Sequence, residues 1–446
     1  HFIPSPGKGT FMKKLLTLTS AILLPSVVTA ADLSTIYDMA ASNDPQIAAA
    51  RASREADAYN VMIARGALLP QAEASYTHTN VEIEIDGVNG LVTDYELGAF
   101  SVTAGMSLFN LNSWYTYKAA RAGNDNGIYE LQMAEQQLLL RTAEAYFNVL
   151  RAEDNLSTAD AELKAVQRSL EQTKQRYDVG LTAITDVHSA QAAYDLSYAN
   201  LLGQQANRQI QYETLEQLTG QTISDVAALK GSVEMNRPEP ADPNSWVNSG
   251  MDKFPGLRMV DAQLEAARLQ RNAARAAHLP TVEVFANYED GDQATTITED
   301  PAGITRTAYG ITVSVPLLAG GSLYAQTKQA ALNYAAADYL LENERRTVRQ
   351  NIRTLYLQVQ NDVLNIKARQ QSIRSARSAL DATQTGYKVG TRNIVEVLDA
   401  QQQLYGAERD YANARYDYII NLLTLKYYAG TLNEGDINML NGWLQG

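Results

Sequence analysis

The chain has 446 residues, a formal net charge of −13 and no cysteine. Without cysteine it offers no disulfide, thiolate metal site or cysteine nucleophile. Its four histidines are too far apart in sequence to suggest a ligand cluster, so we predict no metal site and no cofactor. The acidic balance argues against nucleic acid as a partner, because phosphate binding needs a basic face.

Most of the chain is one unit that occurs twice. Pro45 and Pro255, like Gly180 and Gly390, stand 210 positions apart (255 − 45 and 390 − 180). Such a duplication predicts a pseudo-symmetric structure. We divide the chain into a first repeat over 31–230, a linker over 231–244, a second repeat over 245–440 and a C-terminal segment over 431–446.

The N-terminal region has the composition of a secretory signal peptide. Residues 12–30 contain Met12-Lys13-Lys14, then an apolar run, then small residues ending at Ala30. Residues 1–11 precede the first methionine, and we interpret them as an upstream or non-native leader. The mature chain is therefore expected to be exported.

Each repeat contains two stretches in which apolar and small polar residues alternate, at about 71–79 and 98–109 and again at about 281–289 and 308–318. Alternation places the apolar side chains of a strand on one face. Strands of a soluble sandwich are an alternative, but aromatic residues near the strand ends favour a membrane. Four strands cannot close a barrel, so membrane strands require oligomerisation, with twelve strands in a trimer or eight in a dimer.

Two long helical hairpins are predicted over 113–218 and 323–429, where good helix formers dominate. In each hairpin the outgoing helix ends at a Tyr-x-Val-Gly sequence whose glycine, Gly180 or Gly390, can adopt the left-handed conformation that stops a helix. A further helix precedes each pair of strands. A coiled-coil spacer is an alternative, but helices that grow directly out of alternating strands favour one continuous tube.

The sequences around the hairpin turns resemble those of the TolC-type outer-membrane efflux channels. The resemblance is carried by QRYDVGLTAITDV at 175–187, GYKVGTR at 386–392 and ANARYDY at 412–418, and it extends over essentially the whole mature chain. It implies a mainly α fold with a membrane β-barrel: a homotrimer whose twelve-stranded barrel in the outer membrane of a Gram-negative bacterium continues as a twelve-helix periplasmic tube. It also implies a passive exit duct without catalysis, which meets a periplasmic adaptor and an inner-membrane pump or ABC exporter.

The same resemblance implies a gate at the hairpin tips. Tyr387 and Arg392 would hold their hairpin closed through bonds to Thr185 and Asp186 of a neighbouring hairpin. For Tyr387, ordinary helix packing is an alternative. Ser169 stands where family members carry a glutamine of this network, so the resemblance does not establish that contact in this chain. The adaptor would contact the tip residues, or these merely form the turns: Val179, Gly180, Leu181, Val389, Gly390 and Thr391.

Two carboxylates of the second hairpin are candidates for cation selectivity. Glu396 and Asp399 are three positions apart on one helix and share a face, so a trimer would stack them as two rings that hold cations and could be blocked by multivalent ones. Glu396 could instead close a capping box with Asn393. For Asp399 the alternative is a solvated surface charge.

Two other functions compete with the duct. A periplasmic adaptor also has a long helical hairpin, but one rather than two, and it lacks the four alternating strands. A purely structural coiled-coil envelope protein would show no conductance. An enzyme is not indicated, since no nucleophile–base arrangement or phosphate loop is visible. The sequence does not specify whether the cargo is a drug, a bile salt, a siderophore or a protein.

Overall fold

The computed structural model describes residues 30–84, 92–231, 233–293 and 302–445. The predicted leader over 1–11 and the predicted signal peptide over 12–30, apart from Ala30, lie outside the described residues. In chain order the elements are α1 (Leu33–Asn43), α2 (Pro45–Gly66), β1 (Gln71–Glu84), β2 (Val92–Phe109), α3 (Leu111–Asp178), α4 (Ile184–Thr219), α5 (Pro243–Lys253), α6 (Pro255–Ala276), β3 (Thr281–Gln293), β4 (Ala302–Ser314), α7 (Ser322–Lys388), α8 (Ile394–Tyr428) and α9 (Glu434–Asn441).

The four strands form one antiparallel sheet in the order β1-β2-β3-β4. Ala74 pairs with Val102, Ala104 with Ala286 and Val284 with Ile311. A bulge lies in β2 between Ser107 and Phe109, just before the chain enters α3. The sheet is open in the single chain, with β1 and β4 at its edges.

The observed strands differ in length from the predicted ones. β1 continues to Glu84, β2 begins at Val92 and β3 continues to Gln293, beyond the predicted ends near residues 79, 98 and 289. The end of β1 still alternates through Val81-Glu82-Ile83-Glu84, whereas the end of β3 is polar. Ladder hydrogen bonds join backbone groups, so pairing can continue into a polar segment. β4 spans Ala302–Ser314 rather than 308–318. It stops before Pro316, because proline has no N–H to donate to a ladder.

The two helical hairpins leave this sheet directly. α3 has 68 residues and α7 has 67, so each is about 100 Å long. The side chain of Asn110 caps α3 by accepting a hydrogen bond from Ser113 N at 3.0 Å. α3 packs against α4 and α8, and α8 packs against α7, which leaves α4 and α7 as the outermost of the four long helices.

The duplication is preserved in hydrogen bonds as well as in the order of elements. Tyr146 in α3 donates to Ala31 O at 3.2 Å and to Ala227 O at 2.8 Å, and its counterpart Tyr356 in α7 donates to Ala241 O at 2.5 Å. Burial raises the pKa of Tyr146, so its hydroxyl stays protonated and remains a donor. These bonds tie the segments that precede α1 and α5 to the middle of the long helices.

The largest hydrophobic core lies at mid-length of the hairpins, where α1, α5 and α9 pack against them. Tyr146, Phe147, Ile352 and Tyr416 are at most 2% exposed there. Two isolated bridges, Ala31 with Val226 and Leu229 with Leu444, add extended segments to this region. Met235 of the linker and Leu440 and Leu444 near the C-terminus belong to this core.

Across the described ranges, none of the helices has a stretch long and apolar enough to span a membrane.

Candidate functional site

The candidate site lies at the free ends of the two hairpins, where both turns have the same backbone. Gly180 and Gly390 have φ angles of 76° and 82°, in the left-handed region that glycine adopts readily. Gly180 N donates to Tyr177 O at 2.9 Å, and Gly390 N donates to Tyr387 O at 3.2 Å. The duplication has therefore conserved the turn itself, and differences between the tips come from their side chains.

The turn residues predicted to meet an adaptor are exposed. Val179 is 69% exposed, Leu181 67% and Val389 71%. Gly180, Gly390 and Thr391 are also exposed. Three large apolar side chains in water at the end of a helical rod form the kind of surface that marks a protein contact.

In the first tip, the proposed lock residue Asp186 is bonded within its own hairpin. It stands in the first turn of α4 and accepts a hydrogen bond from Thr182 Oγ1. Thr185, one residue earlier, is exposed. The N-cap residue of α4, Ala183, has no side chain that can cap the helix, so Thr182 and Asp186 supply the polar contact at this helix start.

In the second tip, Arg392 and Glu396 form an ion pair at 2.5 Å, four residues apart. Glu396 also completes a capping box with Asn393: Glu396 N donates to Asn393 Oδ1 at 2.9 Å, and Asn393 N donates to Glu396 Oε1 at 3.5 Å. The hydrogen bond from Arg392 lowers the pKa of Glu396. The capping role considered for Glu396 is therefore present, and it leaves a charged carboxylate at the start of α8.

Space for the folded Arg392 side chain is provided by Gly386. A Cβ atom at position 386 would lie 2.6 Å from Arg392 Cγ. Within the described residues of the single chain, Arg392 makes no hydrogen bond to Thr185 or Asp186. The structure thus brings Arg392 to Glu396 and Asp186 to Thr182, each pair inside one hairpin.

Asp399 is exposed one turn beyond Glu396 on α8. Both carboxylates lie on the same side of the helix at the same end of the molecule, as their spacing requires. The first hairpin has Ser189 at the position equivalent to Asp399. Only the second tip therefore carries two acidic residues on this face.

Tyr387 is buried against the first hairpin. It is 8% exposed, its hydroxyl lies 3.4 Å from Thr173 Oγ1, and the guanidinium of Arg176 lies 4.7 Å from its ring centroid. Arg176 Nη1 also donates to Tyr387 O at 3.5 Å. The equivalent Tyr177 is 43% exposed in the single chain. Tyr387 thus packs as a buried tyrosine and also joins the two hairpins.

A second polar contact between the hairpins involves Ser169. Gln401 Nε2 in α8 donates to Ser169 Oγ in α3 at 3.0 Å, and the residues are 3% and 7% exposed. Both line one cavity with members of an apolar cluster, called here the tip cluster, that joins all four long helices. Its members are Val166, Leu170, Ala190, Leu380, Tyr387, Ile394, Val397, Leu398, Ala400 and Leu404.

Sequence reasoning missed Thr173, Arg176 and Gln401. Gln401 was inconspicuous because its equivalent, Gln191, is also glutamine, and packing rather than residue type distinguishes them. A signal was nevertheless present at the 210-residue offset: Ser169 corresponds to Ala379, and Arg176 to Gly386. These differences lie within eight residues of Tyr177 and Tyr387 (177 − 169 and 387 − 379).

Within the part of the chain that the structure describes, no group of three or more His, Cys, Asp or Glu side chains is arranged to hold a metal ion. Asp186, Arg392 and Glu396 are engaged at helix starts and Arg176 in a contact between helices, whereas Asp399 is exposed. The arrangement can order the helix starts and present carboxylates that attract cations.

Comparison with known proteins identifies the same architecture. Residues 36–221 and 251–431 match the family model of outer membrane efflux proteins. Outer membrane protein TolC of Escherichia coli is 35% identical over 450 residues, covering 97% of this chain and 90% of that protein. Alkaline protease secretion protein AprF of Pseudomonas aeruginosa is 27% identical over 417 residues, covering 91% and 85%. The solved Campylobacter jejuni CmeC outer membrane channel has the same fold, with a TM-score of 0.77 at 18% identity over 93% of this chain and 90% of that one.

Proposed function

The chain belongs to the outer membrane efflux protein family, and from this premise we propose that three copies form a passive exit duct. The duct would serve tripartite efflux pumps, type I secretion systems or both. The family match covers both repeats, and each repeat runs from two membrane-type strands into a hairpin about 100 Å long. This continuity of sheet and hairpins is the observation that carries the proposal.

The edges of the single chain support a ring of identical copies. β1 and β4 are unpaired edges of the sheet, and open edges are not tolerated in lipid. Among the long helices, α4 and α7 are outermost and display large apolar side chains: Leu196 and Ile210 are 68% and 59% exposed on α4, and Leu340 and Leu357 are 62% and 63% exposed on α7. Head-to-tail contacts of β4 with β1 and of α7 with α4 close a ring, and three copies give twelve strands.

The sheet has an outward face suited to lipid. Tyr309, Ile311 and Val313 alternate along β4 and are 84%, 67% and 63% exposed. Such a row of apolar side chains on one face of a strand matches the lipid-facing side of an outer-membrane barrel. The long helices below the sheet extend into the periplasm.

The hairpin tips form the gate in this proposal. Arg392 uses Nη1 for Glu396, and its guanidinium has further donors for Thr185 and Asp186 of a neighbouring hairpin. Tyr387 contributes to this lock through its buried contacts with Thr173 and Arg176 of the first hairpin. Glu396 and Asp399 of three copies would form two stacked carboxylate rings that favour cations and bind multivalent ones.

The exposed tip residues Val179, Leu181 and Val389, with the adjoining Gly180, Gly390 and Thr391, would meet a periplasmic adaptor. The adaptor connects the duct to an inner-membrane pump or ABC exporter. In this role the protein moves cargo without catalysis. A docked adaptor opens the tips by favouring the separated state of the hairpins.

Planar-bilayer recording of the purified protein tests this function. We expect small, cation-selective currents that multivalent cations block from the periplasmic side, and we expect a trimer by light scattering in detergent. A periplasmic adaptor or a structural coiled-coil protein produces no conductance. A monomer without channel activity would exclude the duct.

A further inference from the structure

The junction between the sheet and the helices is basic in an acidic protein. Strands join helices in the segments 58–72, 111–124, 266–282 and 315–337, and because the sheet is antiparallel all four lie at one end of it. These segments contain no Asp or Glu, although the chain has a net charge of −13, and their Lys and Arg residues are Arg65, Lys118, Arg121, Arg268, Arg271, Arg275 and Lys328. Such a separation of charge indicates an anionic partner at this level of the molecule.

Four of these cations keep the 210-residue offset of the repeats. Arg65 and Arg275 stand in the last turn of α2 and α6, and Lys118 and Lys328 stand within the first eight residues of α3 and α7. All four side chains are exposed. In the described ranges, none of the four lies within ion-pair distance of a carboxylate. They are therefore free to meet anions outside the chain.

An exposed aromatic side chain accompanies each of the two lysines. Lys118 Nζ lies 5.3 Å from the ring centroid of Trp114, four positions earlier, and Tyr324 precedes Lys328 by the same spacing. Trp114 is 44% exposed and Tyr324 is 73% exposed. Tryptophan, tyrosine and lysine beside a membrane-spanning segment place their apolar parts toward hydrocarbon and their polar atoms at headgroup level.

The packing of α3 shows which way Trp114 and Lys118 face. Positions 115, 119 and 122 of α3 pack against α6, and positions 124 and 127 meet α2. At about 100° per residue these two stripes are about 140° apart, and Trp114 and Lys118 lie in the wider of the two sectors between them. In a closed ring a helix meets its neighbours at less than a straight angle on the lumen side, so the wider sector faces outward.

An apolar groove of about 460 Å³ lies on the sheet at the same end. Pro70, Met106, Val284 and Ile311 line it, and Pro70 directly precedes β1. Ile311 belongs to the exposed row assigned above to lipid. An acyl chain fits this groove while its phosphate reaches the cations, because helical side chains tilt toward the N-terminus and the lysines of α3 and α7 therefore lean toward the sheet.

We propose that Arg65, Lys118, Arg275 and Lys328 form a basic collar that binds the phosphate groups of anionic phospholipids in the periplasmic leaflet of the outer membrane. This inference rests on the proposed duct, since it takes the sheet as the part that spans the membrane. Three copies repeat the collar around the ring. The collar sets the depth of the duct in the membrane, with the apolar sheet in hydrocarbon and the helices below the headgroups.

Trp114 is the reporter for a test by fluorescence quenching. The other two tryptophans, Trp246 and Trp443, lie in or against the core at mid-length of the hairpins. The whole protein is reconstituted in phosphatidylethanolamine vesicles that contain acyl-brominated phosphatidylglycerol or acyl-brominated phosphatidylcholine. At equal mole fraction we expect several-fold stronger quenching by the anionic lipid, a preference that shrinks as salt is added. Trp114→Phe removes the lipid-dependent quenching.

The double variant Lys118→Gln with Lys328→Gln tests the collar itself. We expect the preference for phosphatidylglycerol to fall about fivefold, because two cations per chain no longer attract the headgroups. Lys367→Gln with Lys388→Gln removes two exposed lysines farther along α7 and is the matched control, which keeps the wild-type preference. Lys118→Arg with Lys328→Arg retains the charge and also keeps it.

Three results would overturn the collar while the duct stands. They are equal quenching of the wild type by both lipids, a preference that survives in the double lysine variant, and a preference that inorganic phosphate removes when sodium chloride of equal ionic strength does not. The last result would show a site for a free anion instead of a lipid surface. If neither lipid quenches Trp114, this end of the sheet is outside the membrane, and the duct and the collar fail together.

Discussion

The two hairpin tips have the same backbone and different side-chain chemistry. Both turn through a left-handed glycine, Gly180 or Gly390, with equivalent hydrogen bonds. The first tip pairs a neutral threonine with Asp186, whereas the second pairs Arg392 with Glu396 and adds Asp399. The two repeats thus form rods of nearly equal length, and substitutions at a few positions give the second tip an ion pair and a further carboxylate.

The comparison also shows how the tips depend on each other. Arg176 of the first hairpin reaches across to Tyr387, while position 386 of the second hairpin is a glycine over which Arg392 folds back. The first repeat has an arginine at position 176, where the second has Gly386. The second has an arginine at position 392, where the first has Thr182. In the proposed gate the first tip is a support, and the second carries the groups that would face ions and neighbours.

The largest effect is expected from removing the carboxylates that only the second tip presents together. Glu396→Ala with Asp399→Ala removes six negative charges from the trimer and raises the half-blocking concentration of a trivalent cation more than about tenfold. Bilayer recording with the cation added from the periplasmic side measures it. Asp178→Ala, an exposed acid of the first tip, is the control and leaves the block intact. An unchanged block in the double variant removes the ring assignment.

A smaller change is expected from removing the arginine that only the second tip has. Arg392→Ser eliminates charge-assisted bonds to Glu396 and to the neighbouring hairpin, so the open fraction rises severalfold. Single-channel conductance is the measurement. Lys388→Ser removes an exposed positive charge four residues earlier, at the end of α7, and serves as the control. Equal conductance in Arg392→Ser and wild type would mean that the lock is placed at the wrong residue.

The pH dependence of the multivalent-cation block tests the pairing of Arg392 with Glu396. Because Arg392 lowers the pKa of Glu396, the carboxylate stays ionised below the usual glutamate range, and its pairing is lost only as the pH falls through the lowered pKa. In an Asp399→Ala background, the block should persist until that acidic pH. Adding Arg392→Ser moves the midpoint upward toward the ordinary glutamate value. A midpoint that does not move would show that Arg392 does not control Glu396.

The smallest effect is expected at Gly386. An alanine there places a Cβ 2.6 Å from Arg392 Cγ, so Arg392 must leave its folded position. The side chain is flexible, and we expect a slightly higher conductance than wild type but a lower one than Arg392→Ser. Gly203→Ala, in a helix position with no atom within 4 Å of the added Cβ, is the control and leaves conductance unchanged. A Gly386→Ala conductance equal to wild type would show that the gate closes without the Arg392 side chain folded over position 386.

Much of the fold follows from local sequence. Glycines with positive φ end the outgoing helices at Gly180 and Gly390, and alternation located the strands. Strand ends were less predictable, because ladders join backbone groups and continue into polar segments, and because Pro316 ends β4 early. Membership of the efflux family was also predicted, from the motifs at the turns, and is confirmed by the comparisons.

The site was predictable only in part. The charges at Arg392, Glu396 and Asp399 are visible as differences between the repeats. The Gln401–Ser169 hydrogen bond is not, since Gln191 and Gln401 are identical in type and differ in burial, which depends on how α8 meets α3. Which hairpin Arg392 contacts likewise depends on geometry that spacing along one chain does not specify.

The most direct test of the division between the tips is to make the second one resemble the first. The variant Arg392→Thr, Glu396→Asp, Asp399→Ser gives the second tip the residues that the first tip carries at Thr182, Asp186 and Ser189. Single-channel recording should show a larger conductance than wild type and a trivalent-cation block weakened by more than about tenfold. If the variant keeps the small, blockable currents of wild type, the asymmetry between the repeats does not form the gate.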